Sequence, residues 1–305
     1  MTDKIIVKLK DQNGVMAENG PMRIIIQAWD KKRPDSKMAS KAAQFSFTCL
    51  EQVALHHEIL KQQPCQMPEG LDPVPRAMVE SVMATGEKDL TPMAAVAGSI
   101  ADAVADWLFN RGMSRVIVNN GGDIAIRLAE NETARVGIRT NIQSPVISHV
   151  VELSSLYPSW GVNTSGLGGR SLTRGIASAV TAFAKTSSMA DAAATSIANA
   201  CFAEDDSIVQ VMAQKVDPHT DIREILVTVK IGKLKKRCIS QAMNKALSKA
   251  EQYVEMGIIQ GALIAVKDAL LATHGFNANI APLKGCVDKN LLFTNESIKD
   301  FGWVS

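Results

Sequence analysis

The chain has 305 residues, 46% of them hydrophobic, which is enough to bury a substantial core as one large or two smaller globular units. Its 33 basic and 31 acidic residues nearly balance, which excludes the electrostatic footprint of a nucleic-acid binder or of a protein held on an anionic membrane. The five cysteines are widely spaced and contain no Cys-x-x-Cys pair, a pattern of reduced thiols rather than of a disulfide framework or zinc site. The first residues lack the apolar core of a secretory signal, and no run approaches the roughly 18 apolar residues that span a bilayer. The expectation is a soluble cytoplasmic protein.

Residues 4–9 and 22–29 are β-branched, apolar runs and predict an opening pair of strands, joined by a loop with Asn13-Gly14 and Asn19-Gly20-Pro21. From Lys37 to about Gln62 the apolar spacing is helical, through Ala42, Ala43, Phe47, Leu50, Val53 and Leu60. A connector with Pro64, Pro68, Pro73 and Pro75 follows, too broken by proline to be an element, and leads through residues 76–79 to a helix near Thr91. There Thr91 reads as N-cap and Pro92 as the first helical residue, with Ala94, Ala97, Ala101, Val104, Ala105 and Leu108 on an apolar face and Gly112 as the stop. No side chain from Ala94 to Ala101 exceeds Val or Ile, so another backbone or a flat ligand could approach this helix closely.

The strand 115–118 runs into Asn119-Asn120-Gly121-Gly122-Asp123 before the chain resumes at 124–127; an ordinary hairpin turn and a ligand-facing turn both satisfy this pattern. Residues 134–139 and 148–153 read as strands. The glycine- and hydroxyl-rich span 161–172 reads as a loop, either a structural turn or a nest of amides facing an anion, and it matches neither the P-loop nor the dinucleotide fingerprint. After a strand at 178–184, Ser187 to Asp191 opens a helix in which Ser188 and Asp191 form a capping box in its Asp form. Asp191 and Thr195 stand one turn apart on one face and can offer Mg²⁺ two hard oxygen ligands; alternatively Asp191 only favours the helix N-terminus. A strand at 224–231, the basic turn Lys233 to Arg237 and a long helical stretch from about 240 to 272 complete the pattern, with Gly257 and Gly261 placed to divide the helix. The long apolar helix and the irregular tail after Gly275 are compatible with a homodimer.

Five segments follow one another along the chain: Pro92-Met93-Ala94-Ala95-Val96-Ala97-Gly98, Val118 to Ile124, Val136-Gly137-Ile138, Thr164-Ser165-Gly166, and Ala190 to Thr195 continuing to Asn199. Together, across about residues 90–202, they resemble the ApbE-like superfamily, which includes the flavin transferases that attach FMN from FAD to Thr or Ser of a target protein. They are closest to its shorter, ApbE-related branch. The resemblance implies an α+β fold with a T-fold-like core of mixed or antiparallel sheet and packed helices. It implies one such domain over residues 1–275, with a C-terminal extension at 276–305.

It further implies a groove for FAD, FMN or a like small-molecule ligand, and a Mg²⁺ site from Asp191, Thr195 and a backbone carbonyl near Ala95. Asn120, Gly121, Gly122 and Asp123 would belong to the groove, with Thr164, Ser165 and Gly166 lining it. Two departures matter. Ala97 stands where the transferases carry Lys before the helix glycine, and residues 167–179 hold no His where they carry His-Ile-Ile-Asp-Pro-x-Thr-Gly with its catalytic His. The candidate catalytic residues are therefore Asp123, to hold metal or take a proton, Arg170, to neutralise an anion, and Ser165, as ligand contact or nucleophile. None of the five histidines falls in the matching segments, and each reads as structural or solvent-exposed. The expected function is Mg²⁺-dependent hydrolysis or transfer on FAD or a related ligand. The alternatives are a non-catalytic flavin or small-molecule binder, or a hydrolase of a small anionic metabolite.

Overall fold

A computed structural model describes residues 4–9, 13–142, 144–169 and 171–276, and the backbone alone of 280–282 and 301–303. The chain opens as an antiparallel meander of β1 (Ile5–Leu9), β2 (Gly14–Asn19) and β3 (Met22–Asp30), with the short β4 (Arg33–Pro34) on β3. The expected pair of strands is thus three, because the loop between its two glycine turns, at Gly14 and Gly20, is itself extended and buries Val15 and Ala17. Three helices follow: α1 (Ser36–Leu55), capped by the Asp35 carboxylate at the Met38 N–H, the single turn α2 (His57–Leu60), and α3 (Pro73–Thr85). Helix α3 corrects the reading of this region as a connector. Pro73 and Pro75 sit in its first turn, where a missing N–H leaves no intrahelical bond unmade.

A 3₁₀ turn, Pro92–Ala95, precedes α4 (Val96–Phe109), so the helix expected from Thr91 begins later. The Thr91 hydroxyl does not cap it and instead donates to the Asp221 carboxylate. Strands β5 (Arg115–Asn120) and β6 (Asp123–Leu128) form the expected hairpin, whose turn residues Gly121 and Gly122 have φ of 72° and 116°. Strands β7 (Thr133–Ile138) and β8 (His149–Ser154) make a second hairpin. Then come β9 (Ser159–Ser165), β10 (Ala179–Ala184), α5 (Ser187–Ala200), the hairpin β11 (Ile208–Met212) and β12 (Leu226–Ile231), α6 (Lys236–Glu255), β13 (Gly261–Val266) and β14 (Ala269–Ala272).

Two further readings change. The first half of the glycine-rich span is strand β9, and the loop starts at Gly166. The long C-terminal helix stops before Gly257, whose φ of 71° ends it, and the apolar run beyond becomes β13 because it fills a gap between β10 and β14.

The main sheet runs β1-β2-β3-β5-β6-β9-β10-β13-β14 with every pairing antiparallel. Helices cover one face and the β7–β8 hairpin the other, and period-two alternation serves both: Val116 and Val118 of β5 join the helix-side core, Ile117 the opposite one. The short backbone strands β15 (Ile280–Pro282) and β16 (Phe301–Trp303) flank β8 and β7. This is the expected α+β architecture of largely antiparallel sheet with packed helices.

Helix α5 lies unusually close to its neighbours. A Cβ on Gly98 of α4 would come within 2.4 Å of the Ser187 carbonyl oxygen, and one on Gly161 of β9 within 2.1 Å of the Thr186 carbonyl oxygen. Rigid backbone on both sides leaves no room to yield, so Gly161→Ala should destabilise by about 2–3 kcal/mol in urea unfolding. At the other end of the helix layer, Glu87 Oε1 lies 3.0 Å from Ser196 Oγ, 3.1 Å from the Tyr253 hydroxyl and 2.9 Å from Lys249 Nζ. Burial alone would raise the Glu87 pKa, but the Lys249 charge and these donors outweigh it and hold the carboxyl below its ordinary value. A depressed folded pKa contributes stability above the unfolded value and loses it as pH falls through the folded one. Glu87→Gln should therefore cost about 1 kcal/mol at pH 7, and its thermal unfolding curve should converge on the wild-type curve below about pH 4.

Candidate functional site

The site begins at the N-terminus of α5. Thr186 is the N-cap, its hydroxyl accepting the Met189 N–H at 3.3 Å, which corrects the expected Ser188–Asp191 capping box. The next two orphan N–H groups, of Ser187 and Ser188, donate to the two oxygens of Asp102 on α4 at 2.9 and 2.8 Å. Asp102 also pairs with Arg127 of β6 (Nη2–Oδ1 2.9 Å), while Arg127 Nε reaches Asp106 at 2.6 Å. Arg127 occupies a helix-facing position where strand alternation calls for an apolar residue, and it is 4% exposed. Burial would lower its pKa, yet Asp102 and Asp106 outweigh that and raise it.

One turn into α5, the Asp191 carboxylate accepts the Gly98 N–H at 2.9 Å. This is why α4 needs glycine there: the same close approach that excludes a Cβ brings the two groups together. Burial pushes the Asp191 carboxyl well above the usual carboxylate range, Asp123 and Asp102 push it further, and the Gly98 N–H opposes them.

Asp191 opens into a cavity of about 420 Å³. Asn120, Gly121, Asp123, Thr164, Asp191 and Thr195 meet in its wall, which joins the β5–β6 turn, β9 and α5. Asn120 is fixed by its amide donating to the Ala97 carbonyl at 3.2 Å, and the Asn119 side chain accepts the Gly122 N–H at 2.8 Å, holding the turn. Thr164 and Thr181 share a hydrogen bond of 2.8 Å. Met22, Leu50, Leu90, Met93 and Ile100 add an apolar wall.

The other expected site residues are placed elsewhere. Ala95 is buried at the start of α4, Gly122 and Gly166 do not line the cavity, and Ser165 is buried with its hydroxyl 3.4 Å from that of Ser171. Arg170 lies outside the described residues.

The cavity also gathers Asn199, the end of the last motif segment, and residues that no motif marked: Asp89, Arg174, Asp217, His219, Thr220 and Asp221. Arg174 Nη1 pairs with Asp89 Oδ2 at 2.5 Å. Its backbone is bolted on both sides, the N–H to Asn199 Oδ1 at 3.0 Å and the carbonyl to Gln210 Nε2 at 3.1 Å and Thr228 Oγ1 at 2.8 Å. The segment between β11 and β12 is closed at its base by Ala213 N–H to Ile225 O (2.8 Å) and Gln214 N–H to Arg223 O (3.2 Å). Asp221 on that segment holds the Thr91 hydroxyl, so the segment is tied across the cavity to the 3₁₀ turn. Sequence spacing carries no signal for these unmarked residues, since they come from three separate stretches. Among the described residues no three His, Cys, Asp or Glu side chains converge as a metal-binding group, and no helix is long and apolar enough to cross a membrane.

The family model described as AbpE bacteria matches residues 7–274. The chain belongs to that family. A relative of this AbpE-family chain, a UPF0280 protein of Methanopyrus kandleri, is 32% identical over 220 residues, covering 68% of this chain and 86% of its own. A UPF0280 protein of Methanococcus maripaludis strain C7 is 30% identical over 172 residues, covering 54% and 70%. Among solved structures, the apo flavinyl transferase ApbE of Pseudomonas stutzeri superposes with a TM-score of 0.53 at 13% identity, covering 90% of this chain and 97% of its own. A mutant of the flavin transferase ApbE of Vibrio cholerae does so with 0.51 at 13% identity, covering 91% and 99%. The ApbE-like assignment read from the motifs holds, and the structures extend the shared fold to nearly the whole family member.

Asp102→Ala would leave the buried Ser187 and Ser188 N–H groups without their acceptor, and Arg127 with the half-exposed Asp106 alone. It should cost about 3 kcal/mol in urea unfolding, whereas the exposed-side Asp106→Ala should cost less than half as much.

Proposed function

We propose that this protein binds a flavin nucleotide, FAD foremost, beside the N-terminal turns of α5 together with Mg²⁺, and acts on its pyrophosphate by hydrolysis or transfer. The observation that carries this reading is the placement of Asp191, a buried carboxylate whose ionisation Asp123 opposes, in a cavity that both line together with Thr195. Two interacting carboxylates in a desolvated wall oppose each other's ionisation, and a hard cation removes that opposition. Asp191, Thr195 and Asp123 are the oxygen donors that would hold Mg²⁺, with the Ala95 carbonyl less suited from its buried place. Such an ion supplies neutralising charge to a bound pyrophosphate.

The remaining walls fit the rest of such a ligand. The volume lies within the range of about 300–1,000 Å³ usual for small-molecule sites. The apolar side chains suit a flat ring, Asn120 and Gly121 offer polar and close backbone contact, and Thr164 presents a hydroxyl. Arg174 takes the anion-neutralising role expected of Arg170, because it is fixed in the wall and its partner Asp89 can be exchanged for a phosphate oxygen. Ser165 faces Ser171 and is a supporting residue. That two solved proteins of this fold are flavin transferases supports flavin over other small anions.

Titration of FAD with and without Mg²⁺, with the same mixtures analysed for FMN and AMP, tests the reading. Binding should tighten at least about tenfold with Mg²⁺. Both products should form, and Asp191→Asn should remove the metal effect. FAD that neither binds nor changes in the presence of Mg²⁺ would overturn it.

A further inference from the structure

We propose that His219 is a catalytic residue of this cavity and serves as the general base for attack on the pyrophosphate; this rests on the reading of the cavity as a Mg²⁺–flavin nucleotide site. His219 lies in the segment between β11 and β12, outside the motif core, and it lines the same cavity as Asp191 and Thr195. The other histidines are placed elsewhere: His56 beside Asp72, His57 beside Glu58, His149 beside Ser148 and His274 beside Glu251, none of them in the cavity wall.

The segment that carries His219 is built to hold it there. Its base is closed by the two backbone bonds at Ala213 and Gln214, and Arg223 Nη1 donates to the Pro218 carbonyl at 2.6 Å. The His219 N–H donates to Asp217 Oδ1 at 2.8 Å, and the Asp221 carboxylate fastens the segment to Thr91. The neighbouring acids have other commitments. Asp221 is paired with the Thr91 hydroxyl and Asp217 with the His219 backbone. Imidazole, unlike carboxylate, is as a class half-charged near neutral pH, so it can accept a proton and return it under working conditions.

In the step, an oxygen nucleophile, water in hydrolysis, attacks one phosphorus of the pyrophosphate. Its O–H proton passes to an imidazole nitrogen of His219 as the new O–P bond forms. The P–O bond to the bridging oxygen breaks, its electron pair leaves on the departing phosphate, and the imidazolium then returns the proton to solvent. The charged groups around it are Asp217, Asp221 and Arg223 on its own segment and Asp89 and Arg174 elsewhere in the cavity wall.

His219→Gln and His219→Ala, compared with wild type at saturating Mg²⁺, provide the test. FAD affinity should stay within about threefold, the side chain being exposed. The rate of FMN and AMP formation should fall at least about 100-fold, and the rise of rate with pH through the histidine range should flatten. Added imidazole should restore part of the His219→Ala rate. Variants that cleave FAD at close to the wild-type rate would overturn the role of His219 and leave the Mg²⁺–flavin reading standing. A wild-type protein that binds FAD but yields no product would overturn the role of His219 together with the proposed cleavage, and leave a flavin-binding site.

Discussion

The structure depends on how the N-terminus of α5 is held. A helix start exposes orphan N–H groups, and here it is pressed between α4 and β9 where water cannot satisfy them. Asp102 satisfies two of them and at the same time neutralises Arg127, so one carboxylate joins α4, α5 and β6. Gly98 lets α4 come close enough to α5 for that to happen, and Gly161 lets β9 close on the same helix start. Because the helix start is fixed on three sides, Asp191 and Thr195 one and two turns further on have a fixed position relative to the β5–β6 turn.

The same arrangement sets the electrostatics of the cavity. The protein balances charge as a whole, yet among the described residues the cavity collects Asp89, Asp123, Asp191, Asp217 and Asp221 against Arg174. An anionic nucleotide entering this space needs a cation beside the deep carboxylates and the Arg174 guanidinium farther out. Fold similarity at 13% identity says nothing of this, since one fold hosts many sites. The reading of the site rests on its own side chains, and the acid-rich wall is the strongest of them.

Much of the fold was legible locally. The helix face from Ala97 to Leu108, the Gly121-Gly122 hairpin and the strand 179–184 were marked by periodicity and turn chemistry, which act over a few residues. Other elements were not. Helix α3 hid behind Pro73 and Pro75 because proline breaks a helix interior but suits its first turn, and only the placement of the helix start distinguishes the two. Strand β13 reads as helix because its apolar run is short and unbroken, and a continuous run fits either element until a neighbouring strand claims its backbone.

Of the residues in the cavity wall, the sequence by itself marked Asp191 with Thr195 by their spacing along a helix, and Asn120, Gly121, Asp123 and Thr164 by the motifs that carry the family resemblance. It could not show that Asp191 bonds to Gly98 rather than to its own helix start, because that choice is made by the contact of two helices. Nor could it find Arg174 or His219, whose neighbours in sequence announce nothing. Tertiary structure decided these, since a cavity wall is assembled from loops that meet only after the sheet has ordered its strands and the helices have packed against it.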